Sequence, residues 1–326
     1  MVHLRILTSP AKGERALALL QDNPSVCNIV VLPGAARRPP GDVILCDVAR
    51  EDASVVIADL RDLGVDRDGS ISLETIDTQL SDASERAVAA ARGAPSDAVV
   101  WEEVEERTSE SATLSFSFLA FMVLAALIAA VGIYLDSAIL IVGAMVVGPE
   151  FGPIAGFCVA IVQPPRSLAA KSFSALAVGF PLAIVAVTLA SIIFIATGVT
   201  PPEFSVDDHS LARAIAAPDF FSLFVALCAG AAGMLSLSTA KSGALIGVLI
   251  SVTTIPAAAN VGIAAAYGDW PAFRGSLGQL GVNLAGILVA GTVTLGAQRA
   301  LYERRRRRHL RGLPELTPPS RRQPET

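Results

Sequence analysis

The chain predicts two structural classes in series: an α+β N-terminal domain of β-α-β-β-α-β order, then an all-α polytopic membrane domain of six spans. Three observations predict it. Apolar residues concentrate after residue 113, in a chain whose mean hydropathy is +0.57 and of which only 17% is charged. Before that point, short alternating runs are interleaved with helical periodicity. The net charge divides likewise, at −9 over residues 1–112, −1 over 113–300 and +5 over 301–326. The expected units are therefore an α+β domain over 1–80, a helical linker over 81–112, a membrane domain over 113–300 and a basic, Pro-rich, disordered tail over 301–326.

Val2 to Thr8 alternates as a strand does, and Ala11 to Gln21 has helical spacing through Ala16, Leu17, Leu19 and Leu20. Val26 to Leu32 is a β-branched run that ends at the turn signal Pro33-Gly34, and Pro39-Pro40-Gly41 precedes a third strand, Val43 to Val48. A second helix over Ala53 to Leu63 closes at Gly64, and Ser70 to Ile76 is a fourth strand. This order is that of the ferredoxin-like sandwich, with both helices on one face of an antiparallel sheet. Such a domain serves either as an oligomerising cap or as a small-ligand sensor, and the fold alone does not choose between them.

Residues 82–92 predict a short Ala-rich helix, and Ser96 to Arg107 another with Ser96 as N-cap. Its run Glu102, Glu103, Glu105 and Glu106 reads as a solvated face rather than a cation site. Residues 1–30 contain no basic segment followed by an unbroken apolar core, so the N-terminal domain is expected to stay on the side where it is made. Cys27, Cys46, Cys158 and Cys228 lack metal-ligand spacing and read as buried free thiols. No metal and no cofactor are expected.

Six apolar segments are long enough to span: about Leu114 to Tyr134, Ser137 to Val162, Phe173 to Thr197, Phe220 to Leu237, Gly243 to Tyr267 and Leu277 to Gln298. Arg166 and Lys171, then Lys241, then Arg304 to Arg308 fall on alternate connections, which by the positive-inside rule places both termini in the cytoplasm of an inner-membrane protein. Arg304, Arg305, Arg306, Arg307 and Arg308 are assigned to topology and anionic lipid rather than to nucleic acid. Gly230, Gly233, Gly243 and Gly247 offer close helix contacts, and with the N-terminal domain they favour a homo-oligomer in the lipid bilayer.

The candidate site is an acid at bilayer depth. Glu150 lies in Gly148-Pro149-Glu150-Phe151-Gly152-Pro153, where two prolines and two glycines break the second span. Pro256 interrupts the fifth span, with Ser251, Thr253, Thr254 and Asn260 beside it. Three spans per half force opposite orientations, so placing Pro149 on Pro256 gives a three-plus-three inverted repeat with broken helices two and five. Each proline leaves carbonyls that hydrocarbon cannot satisfy, so the breaks line a hydrophilic cavity unless Ser, Thr and Asn bond their own helices and the glycines serve packing. Glu150 itself handles an ion, a proton or a substrate, or else is a structural acid paired with Lys171 or Lys241.

Gly143-Ala-Met-Val-Val-Gly-Pro-Glu-Phe-Gly-Pro-Ile154 and, much later, Gly247-Val-Leu-Ile-Ser-Val-Thr-Thr-Ile-Pro256 resemble the two signature segments of the bacterial membrane family of domain of unknown function 389. The resemblance extends from about residue 70 to 300. In many relatives the first break is a Pro-Leu-Met-Gly-Pro pattern, so Glu150 occupies a position that is apolar there and reads as a specialisation of this subgroup. The resemblance implies the architecture and no particular substrate or reaction.

Two functions remain open on the residues: a secondary transporter or channel for a small solute or ion, regulated by the N-terminal domain, and a membrane-anchored sensor or scaffold without transport. An enzyme is not expected, because no nucleophile, base and orienting group converge and no HExxH or GxSxG motif stands in a span.

Overall fold

The computed structural model describes residues 1–76, 78–91, 98–163, 166–201, 203, 209–239 and 253–312. Its N-terminal part contains β1 (Val2–Thr8), α1 (Pro10–Gln21), β2 (Val26–Arg37), β3 (Pro40–Val48), α2 (Arg50–Asp62), the one-turn α3 (Val65–Asp68) and β4 (Ser70–Thr75). The four strands form one antiparallel sheet in the order β2-β3-β1-β4. Pairing Leu4 with Cys46 and Ile6 with Ile44 puts alternate apolar residues on one face. Against that face pack Ala16 and Leu20 of α1 and Ala53, Val56, Ile57 and Leu60 of α2, all essentially without solvent contact. Burial of each large aliphatic side chain contributes about 1.5–3 kcal/mol, which makes this face the stabilising layer of the domain.

The second strand is longer than its sequence predicts. It runs through Pro33 and Gly34 to Arg37 with register irregularities, because β2 lies at the sheet edge, where a missing proline donor breaks no ladder. Asp42 accepts from the Gly34 amide at 2.8 Å and ties that stretch to β3.

Asp47, near the end of β3, collects Asn28 Nδ2 and Gln79 Nε2 as donors and the His3 ring nitrogen Nδ1, each at 2.7 Å. Burial alone raises its carboxyl; the contacts outweigh that and hold it below its ordinary value. A carboxyl lowered in the folded state adds stability above its unfolded value, about 3.9, and that stability is lost as the pH falls through the folded value. Asp47→Asn is therefore expected to cost about 1.5–3 kcal/mol at neutral pH, the range for hydrogen bonds to a charged group. In thermal unfolding the difference should shrink as the pH falls below about 3.9 and through the lowered folded value.

The helical part follows α4 (Asp82–Ala90) and α5 (Trp101–Ser111). Ser96, the expected cap of α5, lies outside the described residues, and the helix starts at Trp101 and runs four residues beyond Arg107. Then come α6 (Phe116–Tyr134), α7 (Ala138–Val147), α8 (Phe151–Val162), α9 (Arg166–Ala196), α10 (Ser210–Ala216), α11 (Phe220–Ser238), α12 (Thr254–Tyr267) and α13 (Trp270–Gly312). Among the described residues, four helices are long and apolar enough to cross a membrane, or five if the pair α7 and α8, bent by 51°, counts as one span. Of the expected fifth span, residues 243–252 lie outside the described residues and α12 is the remainder.

Small residues set the helix spacing. At Gly230 of α11 a Cβ would stand 2.6 Å from the Ile287 carbonyl oxygen of α13, and at Gly262 of α12 one would stand 2.8 Å from Val187 of α9. This is the backbone approach expected of Gly230. The helix α13 continues past the expected span end at Gln298 and holds Arg304 to Arg307 in helical register, so part of the tail read as disordered is helix. Residues 313–326 are outside the described residues.

Candidate functional site

The first break forms because Gly148 ends α7 in an extended conformation, as a residue before proline must, and Glu150 begins α8. At the second expected break, α12 starts after Thr253, and residues 240–252 before it lie outside the described residues. Pro153 and Pro256 are each the third residue of their helices, a position whose amide has no partner inside the helix. Pro153 and Pro256 thus hold the same place in their helices, whereas Pro149 lies in the link before α8.

The two starts meet. Thr254 Oγ1 donates to Glu150 Oε1 at 2.7 Å, with Thr254 fully buried and Glu150 4% exposed. The other carboxylate oxygen, Oε2, has no hydrogen-bond partner among the described residues. Gly148 closes the junction: a Cβ there would stand 2.3 Å from Glu150 Oε2 and 2.7 Å from Ile255 Cγ1. Lys171 is exposed and forms no ion pair with Glu150, while Lys241 and Ser251 lie outside the described residues.

Gly152 serves a different purpose from the one expected. Its missing Cβ admits Ser111, whose Cβ would otherwise stand 2.6 Å away, so Gly152 belongs to the contact of α8 with α5. Asn260 also points elsewhere, donating to Ser276 Oγ at 2.8 Å and to the Ala212 carbonyl at 3.3 Å, which fastens α12 to α13 and α10.

Thr253 continues the polar chain. Its hydroxyl accepts from Asn283 Nδ2 at 2.8 Å, and Asn283 Oδ1 accepts from Gln279 Nε2 at 3.1 Å. Ser276, Gln279 and Asn283 are spaced three and four apart along α13, one face of a helix, and all three are buried. The sequence reading missed them, although a polar stripe at that spacing within an apolar span is a visible signal. Thr253 and Asn283 also line a cleft of about 580 Å³ between α10, α11 and α13, whose exposed rim carries Ser210, Arg213, Asp219 and Ser222. Asp219 is engaged in capping α11, accepting from the Ser222 amide and hydroxyl at 2.7 Å each.

On the side of the N-terminal domain, three acids of the run are engaged rather than solvated, while Glu106 is exposed. Glu103 accepts from Arg50 at 2.8 Å, Glu102 from Ser54 Oγ at 2.7 Å and Glu105 from Gln163 Nε2 at 3.1 Å, so α5 is clamped between α2 and the end of α8. Arg305 lies 2.8 Å from Asp52 as a charge contact, Arg306 donates to Asp62 at 2.9 Å and His309 meets Asp59 at 3.0 Å. Two of the arginines assigned to lipid thus dock α13 onto α2. Arg299 adds a stack over Trp101 and Tyr302, 5.2 and 5.0 Å from the ring centroids.

Of the four free cysteines, Cys46 and Cys158 are buried, but Cys27 is half-buried and Cys228 exposed, against expectation. Among the described residues no three His, Cys, Asp or Glu side chains are grouped as a metal site requires.

Comparison with known proteins gives a family and a relative. Residues 145–289 match the family model described as "Domain of unknown function (DUF389)", a stretch that runs from the last turn of α7 to the middle of α13 and contains Glu150, Thr253, Thr254 and Asn283. An uncharacterized protein of Methanocaldococcus jannaschii is 29% identical over 165 residues, which is 51% of this chain and 49% of that relative. The match therefore spans about half of the relative's length. No solved structure matches.

Proposed function

Through residues 145–289 the chain belongs to the family of domain of unknown function 389, and from that premise we propose that it is a secondary transporter or channel for a small solute or ion, with the path at the meeting of α8 and α12. The observation that carries this reading is the 2.7 Å contact between Glu150 and Thr254, two polar groups buried where two helices start. Broken helices meeting inside an apolar bundle are the common form of a midplane site. The cleft floored by Thr253 and Asn283 supplies the approach, since both belong to the polar chain adjoining Thr254.

In this reading the membrane part is a six-span, three-plus-three inverted repeat, in which α7 with α8 corresponds to residues 243–267. The matched prolines at the third residue of α8 and α12 support it. The N-terminal domain is ferredoxin-like, which the strand order β2-β3-β1-β4 supports. Contacts of α2 with the end of α13 put the N-terminal domain and the C-terminal helix on one side, in keeping with two cytoplasmic termini in an inner membrane. Small-residue faces and exposed apolar side chains fit a homo-oligomer, and the chain is not read as an enzyme.

Regulation by the N-terminal domain rests on α5, which touches α2 at one side and α8, next to Glu150, at the other. A cleft of about 580 Å³ lies between β4, α2 and α5, lined by Ile71, Leu73, Arg61 and Glu106 among others, where a small ligand could act. The alternative, a sensor or scaffold without transport, uses the same cleft. Reconstitution separates them: the transporter passes a solute that protein-free vesicles retain, and Glu150→Gln abolishes its coupled, uphill movement. Unchanged coupled flux in that variant would remove the role of Glu150.

A further inference from the structure

We propose that the junction of α8 and α12 is a binding site for a compact anion, and that the Glu150 carboxylate is the tethered anion that occupies it at rest. This deepens the transport reading and rests on it. A helix start presents unpaired amides and a partial positive charge of about half a unit, which makes it an anion site when buried. Here two starts, of twelve and fourteen residues, are brought together by the Glu150–Thr254 contact. Neither is capped by a side-chain hydrogen bond, so both retain that character.

The acid between them is otherwise unbalanced. It is 4% exposed, Oε2 has no partner, and among the described residues no lysine or arginine pairs with it. Among the described residues, the elements around it carry no other ionised group paired with it. In α7, α8 and α12 the remaining titratable side chains are Cys158, which donates to the Leu288 carbonyl, and Tyr267, which donates to Thr200. On α5, Glu102, Glu103 and Glu105 are engaged with Ser54, Arg50 and Gln163; on α13, Arg299 is held by Trp101 and Gln163; on α9, Lys171 is exposed. Among the described residues, the helix starts are thus the positive features left to offset the carboxylate.

A free anion with the same charge competes for that place. When Glu150 takes a proton on its carboxylate, its charge is lost and the helix starts accept the anion instead, so one proton enters with each anion. The cleft suits this direction of traffic. Arg213 stands on its rim, is exposed and has no carboxylate partner among the described residues, while Asp219 is engaged at the start of α11.

The full chain in liposomes tests the proposal with chloride and nitrate in one arm and sodium and potassium in the other, at acid and neutral pH. Chloride or nitrate uptake is expected to be at least about tenfold faster at acid pH, as for a single titrating group, with protons entering alongside. Glu150→Gln is expected to pass the anion equally at both pH values and to move no protons. If that variant does not fold, Thr254→Val, which removes the hydroxyl holding Oε1, is expected to give faster anion flux at neutral pH than the parent chain. Sodium or potassium flux without anion flux would overturn the anion site and leave the transport reading standing. Absence of every ion flux, together with retention of every solute tested, would overturn both.

Discussion

Gly148→Val is expected to reduce flux to background while leaving a folded protein in the membrane. A Cβ at this position would stand 2.3 Å from Glu150 Oε2 and 2.7 Å from Ile255 Cγ1, and valine adds two methyl groups beyond it. Those neighbours are the carboxylate and the first turn of α12, so the branch fills the place where the two helix starts meet. Gly148 has negative φ, which valine adopts without backbone strain, so the loss arises at the junction and not from the turn. Flux in reconstituted vesicles, set beside an unchanged elution profile in detergent, checks both parts. Normal flux would mean that the junction is not the path.

Gly230→Leu is expected to have the largest effect on the fold. The neighbour of its missing Cβ is backbone, the Ile287 carbonyl oxygen at 2.6 Å and the Ile287 Cα at 2.8 Å, and backbone inside a packed helix cannot swing aside. Overpacking in a core commonly costs about 1–3 kcal/mol, and forcing α11 from α13 along their shared face places this change at or above the top of that range. The pair also walls the cleft, so flux falls with stability. Thermal unfolding in detergent is the check: a midpoint close to that of the parent chain would contradict the close approach of the two helices.

Local pattern carried much of the architecture. The alternation of Val2 to Thr8 and the helical spacing through Ala16 and Leu20 predicted elements that the structure contains, because one buried face imposes its period on the chain. Pro33-Gly34 misled because a proline reads as a turn wherever it stands, whereas only its place at the sheet edge decides whether its missing donor matters. The breaks around Glu150 and Pro256 were visible as proline and glycine in apolar runs. Their register was not, since which proline matters depends on where each helix starts.

What the sequence concealed were partners far apart along the chain. Glu103 meets Arg50 and Glu105 meets Gln163, and Arg306 meets Asp62 across more than two hundred residues, so charges that look solvated or lipid-bound one by one are joined in the fold. The bond between Glu150 and Thr254 is of the same kind. Ser276, Gln279 and Asn283 were legible in principle, but a span judged by its apolar content hides the polar stripe within it.

Water access to Thr253 tests the central claim most directly. In a chain whose native cysteines are replaced, Thr253→Cys is expected to react with a membrane-impermeant thiol reagent added from the side on which Arg213 is exposed, and the reaction should slow when Gly148→Val is added. A cysteine at that position that stays unlabelled, while one placed at Ser210 on the cleft rim reacts, would contradict a path from the cleft to the junction.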